Sequence, residues 1–87
     1  MPEPTISLVI PAHNEECYID ACLDHAIKNS GGQFCEIIVV DNASTDQTGE
    51  VAARRPEVRV VREEKKGTGH ARERGWREAR GEIIAYI

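Results

Sequence analysis

Residues 35–41 read CEIIVVD, in which four consecutive Ile and Val residues are closed by an acid. A continuous run of branched apolar residues fits a β-strand that is covered on both faces, as the strands of parallel sheets are. The stretch therefore predicts a buried strand of a parallel sheet, and it decides the fold class of the chain.

Strands and helices alternate on both sides of this run. The predicted strands lie at residues 6–10, 35–41, 58–61 and 82–87, and the predicted helices at 15–30, 44–55 and 67–80. Gly-Gly at residues 31–32 stops the first helix, and Pro56 stops the second. Strand and helix repeated three times before a last strand predict an α/β fold. We expect a Rossmann-like parallel sheet of four strands with flanking helices and right-handed crossovers.

Capping signals mark the starts of the first two helices. Asn14 can cap the first helix, and Glu15 and Glu16 in its first turn suit the positive end of the helix dipole. Ser44 and Gln47 have the spacing of a capping box for the second helix. Both signals join residues close together in the chain.

The third helix carries small residues at a spacing of four. Ala71, Gly75 and Ala79 fall on one face of this helix. A smooth face of this kind predicts a helix that sits close on the sheet.

Composition and charge narrow the classes of function. The 87-residue chain is 40% hydrophobic and 30% charged, as soluble globular proteins are, and it is long enough for one small domain. Residues 1–50 hold nine acids and one base, whereas residues 51–87 hold six acids and ten bases. The basic half forms either solvated helix faces or a rim for a phosphate-bearing ligand. We expect no nucleic acid partner, because no aromatic residues interleave with the basic ones as a stacking platform requires.

Targeting and cysteine signals are those of a cytoplasmic chain. No apolar run approaches the roughly 20 residues that span a bilayer, and the N-terminus does not begin like a signal peptide. We therefore expect a cytoplasmic chain without a membrane segment. If the chain is part of a longer protein, a membrane anchor elsewhere in that protein remains an option. The cysteines, Cys17, Cys22 and Cys35, are odd in number and lack C-x-x-C spacing, which predicts reduced thiols.

Three segments come together where open parallel sheets bind ligands, at the carboxyl ends of the strands. Residues 11–15 offer free backbone groups and Glu15 to a base or to ribose, although a capped turn explains them without a ligand. Asp41 can accept hydrogen bonds from a base or from ribose, or it makes an Asx turn. Residues 65–69 with Arg72 join cations and glycine amides at a helix N-terminus, as a phosphate site or as a solvated basic loop.

Other chemistries lack their sequence motifs. Gly-Thr-Gly at residues 67–69 is not a dinucleotide fingerprint, since the required third glycine would fall at Arg72. The sequence has no P-loop, and no serine sits on a strand-to-helix elbow. The three histidines are not at metal-ligand spacing.

Four blocks in this order resemble the family 2 glycosyltransferases. They are residues 8–16 (LVIPAHNEE), 37–48 (IIVVDNASTDQT), 66–75 (KGTGHARERG) and 79–87 (ARGEIIAYI). The resemblance implies a GT-A fold with strand order 3-2-1-4, a nucleotide-diphosphate sugar donor, a divalent metal (Mg²⁺ or Mn²⁺) and inversion at the anomeric carbon. It assigns nucleotide binding to Pro11, Ala12, Glu15, Asp41, Lys66, Gly67 and Arg72.

Three departures accompany the resemblance. The family's second strand often ends in two acids, whereas this one ends in Asp41 and Asn42. The usual Ala-Arg-Asn triplet ends here in Glu73. In the family the fourth strand leads into a D-x-D metal motif, which we expect beyond Ile87 together with the acceptor region and the catalytic base. We therefore expect no metal ligand and no catalytic residue in residues 1–87.

Two functions follow from these expectations. Residues 1–87 are either the N-terminal, nucleotide-sugar-binding part of a glycosyltransferase with an unknown acceptor, or a stand-alone nucleotide-binding module or inactive remnant. Self-association through an exposed edge of the sheet is a further option. A response-regulator domain would need clustered acids after its first strand, where this chain has Pro-Ala-His at residues 11–13.

Overall fold

The computed structural model describes residues 4–29 and 32–87, and these residues form alternating strands and helices. In chain order they are β1 (Ile6–Ala12), α1 (Ile19–Asn29), β2 (Phe34–Asn42), α2 (Thr48–Ala53), β3 (Val58–Glu63), α3 (Thr68–Glu78) and β4 (Ile83–Tyr86). All seven predicted elements are present. Of the predicted helix stop at residues 31–32, Gly31 lies outside the described residues.

The four strands form one parallel sheet in the order β3-β2-β1-β4, which confirms the predicted 3-2-1-4 order. β1 is paired on both sides, since Val9 lies beside Ile38 of β2 and Tyr86 of β4. Within the described part of the chain β3 and β4 are the edge strands. The chain order reverses at β1, so β1 and its neighbours mark the switch point at which ligands bind to such sheets.

The continuous apolar run of β2 is covered on both faces, as its composition predicts. Ile37 and Val39 pack with α1 and α2, in a core that includes the buried side chains of Ile19 and Leu23. Ile38 and Val40 face the opposite way and pack with Ala71 of α3 together with Val9. The helices therefore lie on both sides of the sheet.

Helix α3 lies against the sheet through its small residues, which confirms the predicted smooth face. Ala71 is fully buried, Gly75 is buried, and Ala79 packs on the same apolar cluster. A Cβ atom added to Gly75 would overlap Val9 Cγ1 and would lie 3.2 Å from Val9 Cγ2. The absence of a side chain at Gly75 thus sets how closely α3 approaches β1.

The predicted helix caps are wrong. α1 begins at Ile19, and the Asn14 side chain accepts a hydrogen bond from the Thr45 amide instead of capping α1. α2 begins at Thr48 without a side-chain cap from Gln47, and Ser44 Oγ accepts from the Asn14 amide. In both loops the side chain bonds to a backbone amide about thirty residues away in the chain and not to its own helix.

Two further features bear on the surface of the molecule. No helix in the described ranges combines the length and the apolar composition that crossing a membrane requires. Along and just beyond β4, Ile83, Tyr86 and Ile87 are exposed large hydrophobic residues.

Candidate functional site

A cavity of about 180 Å³ opens at the carboxyl end of β1, beside the first turn of α3; we call it the β1 cavity. Its lining residues come from the end of β1 and the loop after it, from the end of β2, from α3 and from the residue that follows β4. They are Pro11, Ala12, His13, Glu15, Asn42, Thr68, Ala71, Arg72 and Ile87. The cavity thus lies at the switch point of the sheet, where the sequence predicts a ligand.

Four of the seven predicted nucleotide-binding residues line the β1 cavity. They are Pro11, Ala12, Glu15 and Arg72. Lys66 and Gly67 directly precede the lining residue Thr68 but are not themselves part of the lining. Asp41 also lies outside the lining.

The Asp41 side chain contacts β3 and α2 outside the cavity lining, and its contact with a ligand stays a prediction. Its Oδ2 accepts a hydrogen bond from Arg62 Nη1 at 3.0 Å, and a Cβ atom on Gly49 of α2 would lie 2.5 Å from that oxygen. Asp41 is 4% exposed, and its Oδ1 has no hydrogen-bond partner among the described residues. Since successive strand residues face opposite sides, Asn42 is the residue that reaches the cavity.

Asn42 also holds the turn at residues 64–67 that precedes α3, which we call the basic turn because it contains Lys65 and Lys66. Its Oδ1 accepts from the Gly67 amide at 2.8 Å, and its Nδ2 donates to the carbonyls of Glu63 at 3.1 Å and Lys65 at 2.8 Å. A carboxylate at this position could not donate to the two carbonyls. In the sequence, Asn42 stands out only as a departure from the family, although the alternation of side chains along a strand indicates that Asp41 and Asn42 face opposite sides.

The α3 side of the cavity is suited to an anion. The first-turn amides of a helix have no intrahelical carbonyl to bond, and Thr68 in this turn lines the cavity. Gly67, with φ 138°, takes a conformation that favours glycine as it leads into the helix. Arg72, one turn on, lies over the Tyr86 ring with its Cζ 5.6 Å from the ring centroid. Helix dipole and guanidinium both favour a negative ligand here.

The opposite wall is held by what we call the loop clasp, the hydrogen bonds between residues 13–16 and residues 42–48. Three consecutive amides donate to side chains across the clasp: Asn14 to Ser44 Oγ at 3.0 Å, Glu15 to Thr48 Oγ1 at 2.8 Å, and Glu16 to Asp46 Oδ2 at 3.2 Å. In return, Thr45 donates to Asn14 Oδ1 at 2.7 Å and Gln47 to Glu16 Oε2 at 3.1 Å. The wall that carries Glu15 is therefore fixed by α2 and the turn before it.

Hydrogen bonds define the donor or acceptor role of two members of the clasp. His13 Nδ1 donates to the Asn42 carbonyl at 2.6 Å, because a carbonyl oxygen can only accept. Partial burial opposes ionisation of Asp46, but hydrogen bonds from Thr48 and from the Glu16 amide outweigh it and lower the pKa of Asp46. The clasp thus uses Asp46 as a carboxylate.

Side chains that could hold a divalent metal ion are few at this site. Within residues 4–29 and 32–87, no three His, Cys, Asp or Glu side chains form a group that could hold one. The β1 cavity offers one carboxylate, Glu15, and Mg²⁺ in phosphate sites is usually held by one or two carboxylates together with phosphate and water oxygens.

The sequence is similar to known glycosyltransferases. The sequence model described as "Glycosyl transferase family 2" matches residues 7–87. A putative glycosyltransferase, EpsH of Bacillus subtilis, is 34% identical over 91 residues, covering 100% of this chain and 26% of the relative. Glycosyltransferase GlyG of Streptococcus pneumoniae is 37% identical over 87 residues, covering 94% of this chain and 29% of the relative. The chain thus spans between a quarter and a third of the length of these relatives.

A solved structure matches at the level of the fold. Glucosyl-3-phosphoglycerate synthase from Mycobacterium tuberculosis, in complex with Mn²⁺, uridine diphosphate and glucosyl-3-phosphoglycerate, superposes with a TM-score of 0.84 and 34% identity. The match covers 97% of this chain and 33% of that one. The same enzyme has also been solved with Mg²⁺ and uridine diphosphate.

Proposed function

Because the chain belongs to glycosyl transferase family 2, we propose that it binds the nucleotide-diphosphate sugar from which such an enzyme takes its sugar. In this proposal residues 1–87 are the N-terminal, donor-binding part of a transferase domain with the GT-A fold. The proposal is supported by the β1 cavity, which joins Glu15, Asn42, Arg72 and the first turn of α3 at the switch point of the sheet. A neighbour of the same fold binds uridine diphosphate.

We assign different parts of the ligand to the two walls of the β1 cavity. The diphosphate lies against the first turn of α3 and Arg72, where dipole and charge favour an anion. The nucleoside lies against Pro11, Ala12 and Glu15, whose carboxylate can accept from ribose hydroxyls or a base N–H. Lys66 and Gly67 contribute through the basic turn that Asn42 holds in place.

The chemical step belongs to the complete transferase in this proposal. We propose transfer with inversion to an acceptor, with a divalent metal held by side chains other than those in residues 4–29 and 32–87. The described residues orient the donor. Binding energy gained at the nucleoside can then lower the barrier to transfer of the sugar at the other end of the donor. No catalytic role is assigned to any of them.

Removing the charge of Arg72 is the sharpest test of the cavity. We expect Arg72→Ala to weaken binding of uridine or guanosine diphosphate about tenfold, the usual loss for a hydrogen-bonded charge. Arg77→Ala is the matched control, because it removes the same charge from the same helix at a residue paired with Glu73 outside the cavity. Titration calorimetry on the purified chain measures both. Equal losses in the two variants, or no binding by the wild type, would refute the proposal.

A second candidate is a nucleotide-binding module without catalysis, which the missing metal-binding cluster among the described residues favours. We expect the purified 87-residue chain to release no nucleoside diphosphate from a nucleotide sugar, with or without Mn²⁺. A coupled assay for released uridine or guanosine diphosphate measures this. Turnover above the rate without protein would show that the chain itself is a transferase or hydrolase.

A further inference from the structure

We propose that Thr48, at the start of α2, is a positioning residue that fixes Glu15 and with it the nucleoside wall of the β1 cavity. This inference rests on the proposed function of the cavity. Thr48 is itself fully buried and outside the cavity lining, so it would act only through Glu15.

The Thr48 hydroxyl donates one hydrogen bond and accepts another, and the two partners fix its orientation. Its hydrogen is donated to Asp46 Oδ1, and the Thr48 amide donates to the same oxygen at 2.9 Å. A hydroxyl has one hydrogen, so its lone pairs are left to accept from the Glu15 amide at 2.8 Å. Asp46, as a carboxylate, thus aims the Thr48 hydroxyl at the backbone of Glu15.

Glu15 depends on this contact because its own stretch of chain is not helical. The dihedral φ of Asn14 is 50°, in the left-handed region, and α1 begins only at Ile19. The Glu15 carbonyl accepts from the amides of Tyr18 and Ile19, so the segment that positions Glu15 also leads into α1. Without the acceptor at Thr48, the Glu15 amide would turn to water, and the loop would lose one of the three hydrogen bonds that its amides donate across the clasp.

The effect is confined to one wall of the cavity. The turn before α3 is held by Asn42 through the Gly67 amide, and α3 packs on the sheet through Ala71 and Gly75. None of these contacts involves Thr48. Loss of the Thr48 hydroxyl should therefore weaken recognition of the nucleoside and leave the anion-binding wall unchanged, a pattern that general destabilisation would not produce.

The test compares two probes, uridine diphosphate and inorganic pyrophosphate, by NMR chemical-shift titration of the whole chain. We expect Thr48→Val to bind uridine diphosphate about fivefold more weakly, the usual loss for one hydrogen bond, and to bind pyrophosphate with unchanged affinity. The Glu15 amide should exchange with solvent faster, whereas the Ala71 amide should not. Thr48→Ser, which keeps the hydroxyl, should retain wild-type affinity for both probes.

Unchanged affinity for uridine diphosphate in Thr48→Val, or a parallel loss for both probes, would overturn the proposal. Thr48→Ala removes the same hydroxyl without filling its place, and it answers the same question if the valine variant does not fold. A wild-type chain that binds neither probe would instead refute the proposed function of the cavity, so the two failures are distinguishable.

Discussion

Replacing Gly75 with alanine is expected to lower the free energy of unfolding of this chain by about 3 kcal/mol. The added Cβ atom would overlap Val9 Cγ1, and Val9 is fully buried in the central strand. The helix cannot yield locally, because Ala71 on the same face is also fully buried. A small domain has only about 5–15 kcal/mol of stability, so this change removes a large share of it. Urea unfolding followed by circular dichroism gives the midpoint and the slope.

Two controls separate this overlap from a general effect of alanine in α3. A Cβ atom on Gly69, in the first turn of the same helix, would meet nothing within 4 Å. Gly69→Ala should therefore leave stability unchanged or raise it by up to about 1 kcal/mol. Shortening Val9 should relieve the overlap, so that Val9→Ala and Gly75→Ala together cost less than the sum of the single changes. Strict additivity of the two would contradict the packing we describe.

The strands and the packing of α3 could be predicted from the sequence because their signals are periodic and local. The apolar run at residues 37–40 shows burial on both faces without reference to any other part of the chain. The spacing of Ala71, Gly75 and Ala79 similarly predicts a close helix–sheet contact. The order of the strands, in contrast, followed from the family resemblance, since periodicity does not say which strands pair.

The details of the site could not be predicted, because distant residues compete with local ones for the same hydrogen bonds. Asn14 and Ser44 both have local capping roles open to them, yet each bonds to the other loop of the clasp. Similarly, the sequence does not show which side of the sheet carries the cavity, because that side depends on where α2 and α3 pack. Only that packing shows that Asn42 reaches the cavity.

Glu36 at the opposite end of the sheet joins three parts of the fold. Its Oε2 accepts from Ser7 Oγ at 2.6 Å and from the Arg80 amide at 2.5 Å, and its Oε1 accepts from Arg59 Nη2 at 3.1 Å. Ser7 Oγ also accepts from the Gly81 amide at 2.8 Å, just before β4. The carboxylate thus ties β1 and β3 to the segment between α3 and β4.

The ionised form of Glu36 is the one that this network stabilises. Burial of the carboxylate opposes ionisation, but the hydrogen bonds from Ser7, from the Arg80 amide and from Arg59 outweigh it and lower the pKa of Glu36. A carboxyl whose folded-state pKa is depressed contributes stability above its unfolded pKa, about 4.3 for glutamate. That contribution is lost as the pH falls from there through the lower folded-state value.

We therefore expect Glu36→Gln to lower the free energy of unfolding by about 2–3 kcal/mol at pH 7. Both carboxylate oxygens of Glu36 accept hydrogen bonds, whereas the NH₂ group of glutamine cannot accept one and would face a donor. Below about pH 4.3 the difference from wild type should shrink, since the wild-type carboxyl then takes up a proton as well. Urea unfolding at pH 7, 5, 4 and 3 measures the trend. Glu57→Gln, at an exposed glutamate, removes the same charge and should change stability little at any of these values. A stability difference between Glu36→Gln and wild type that stays constant down to pH 3 would show that Glu36 acts through its shape and not through its charge.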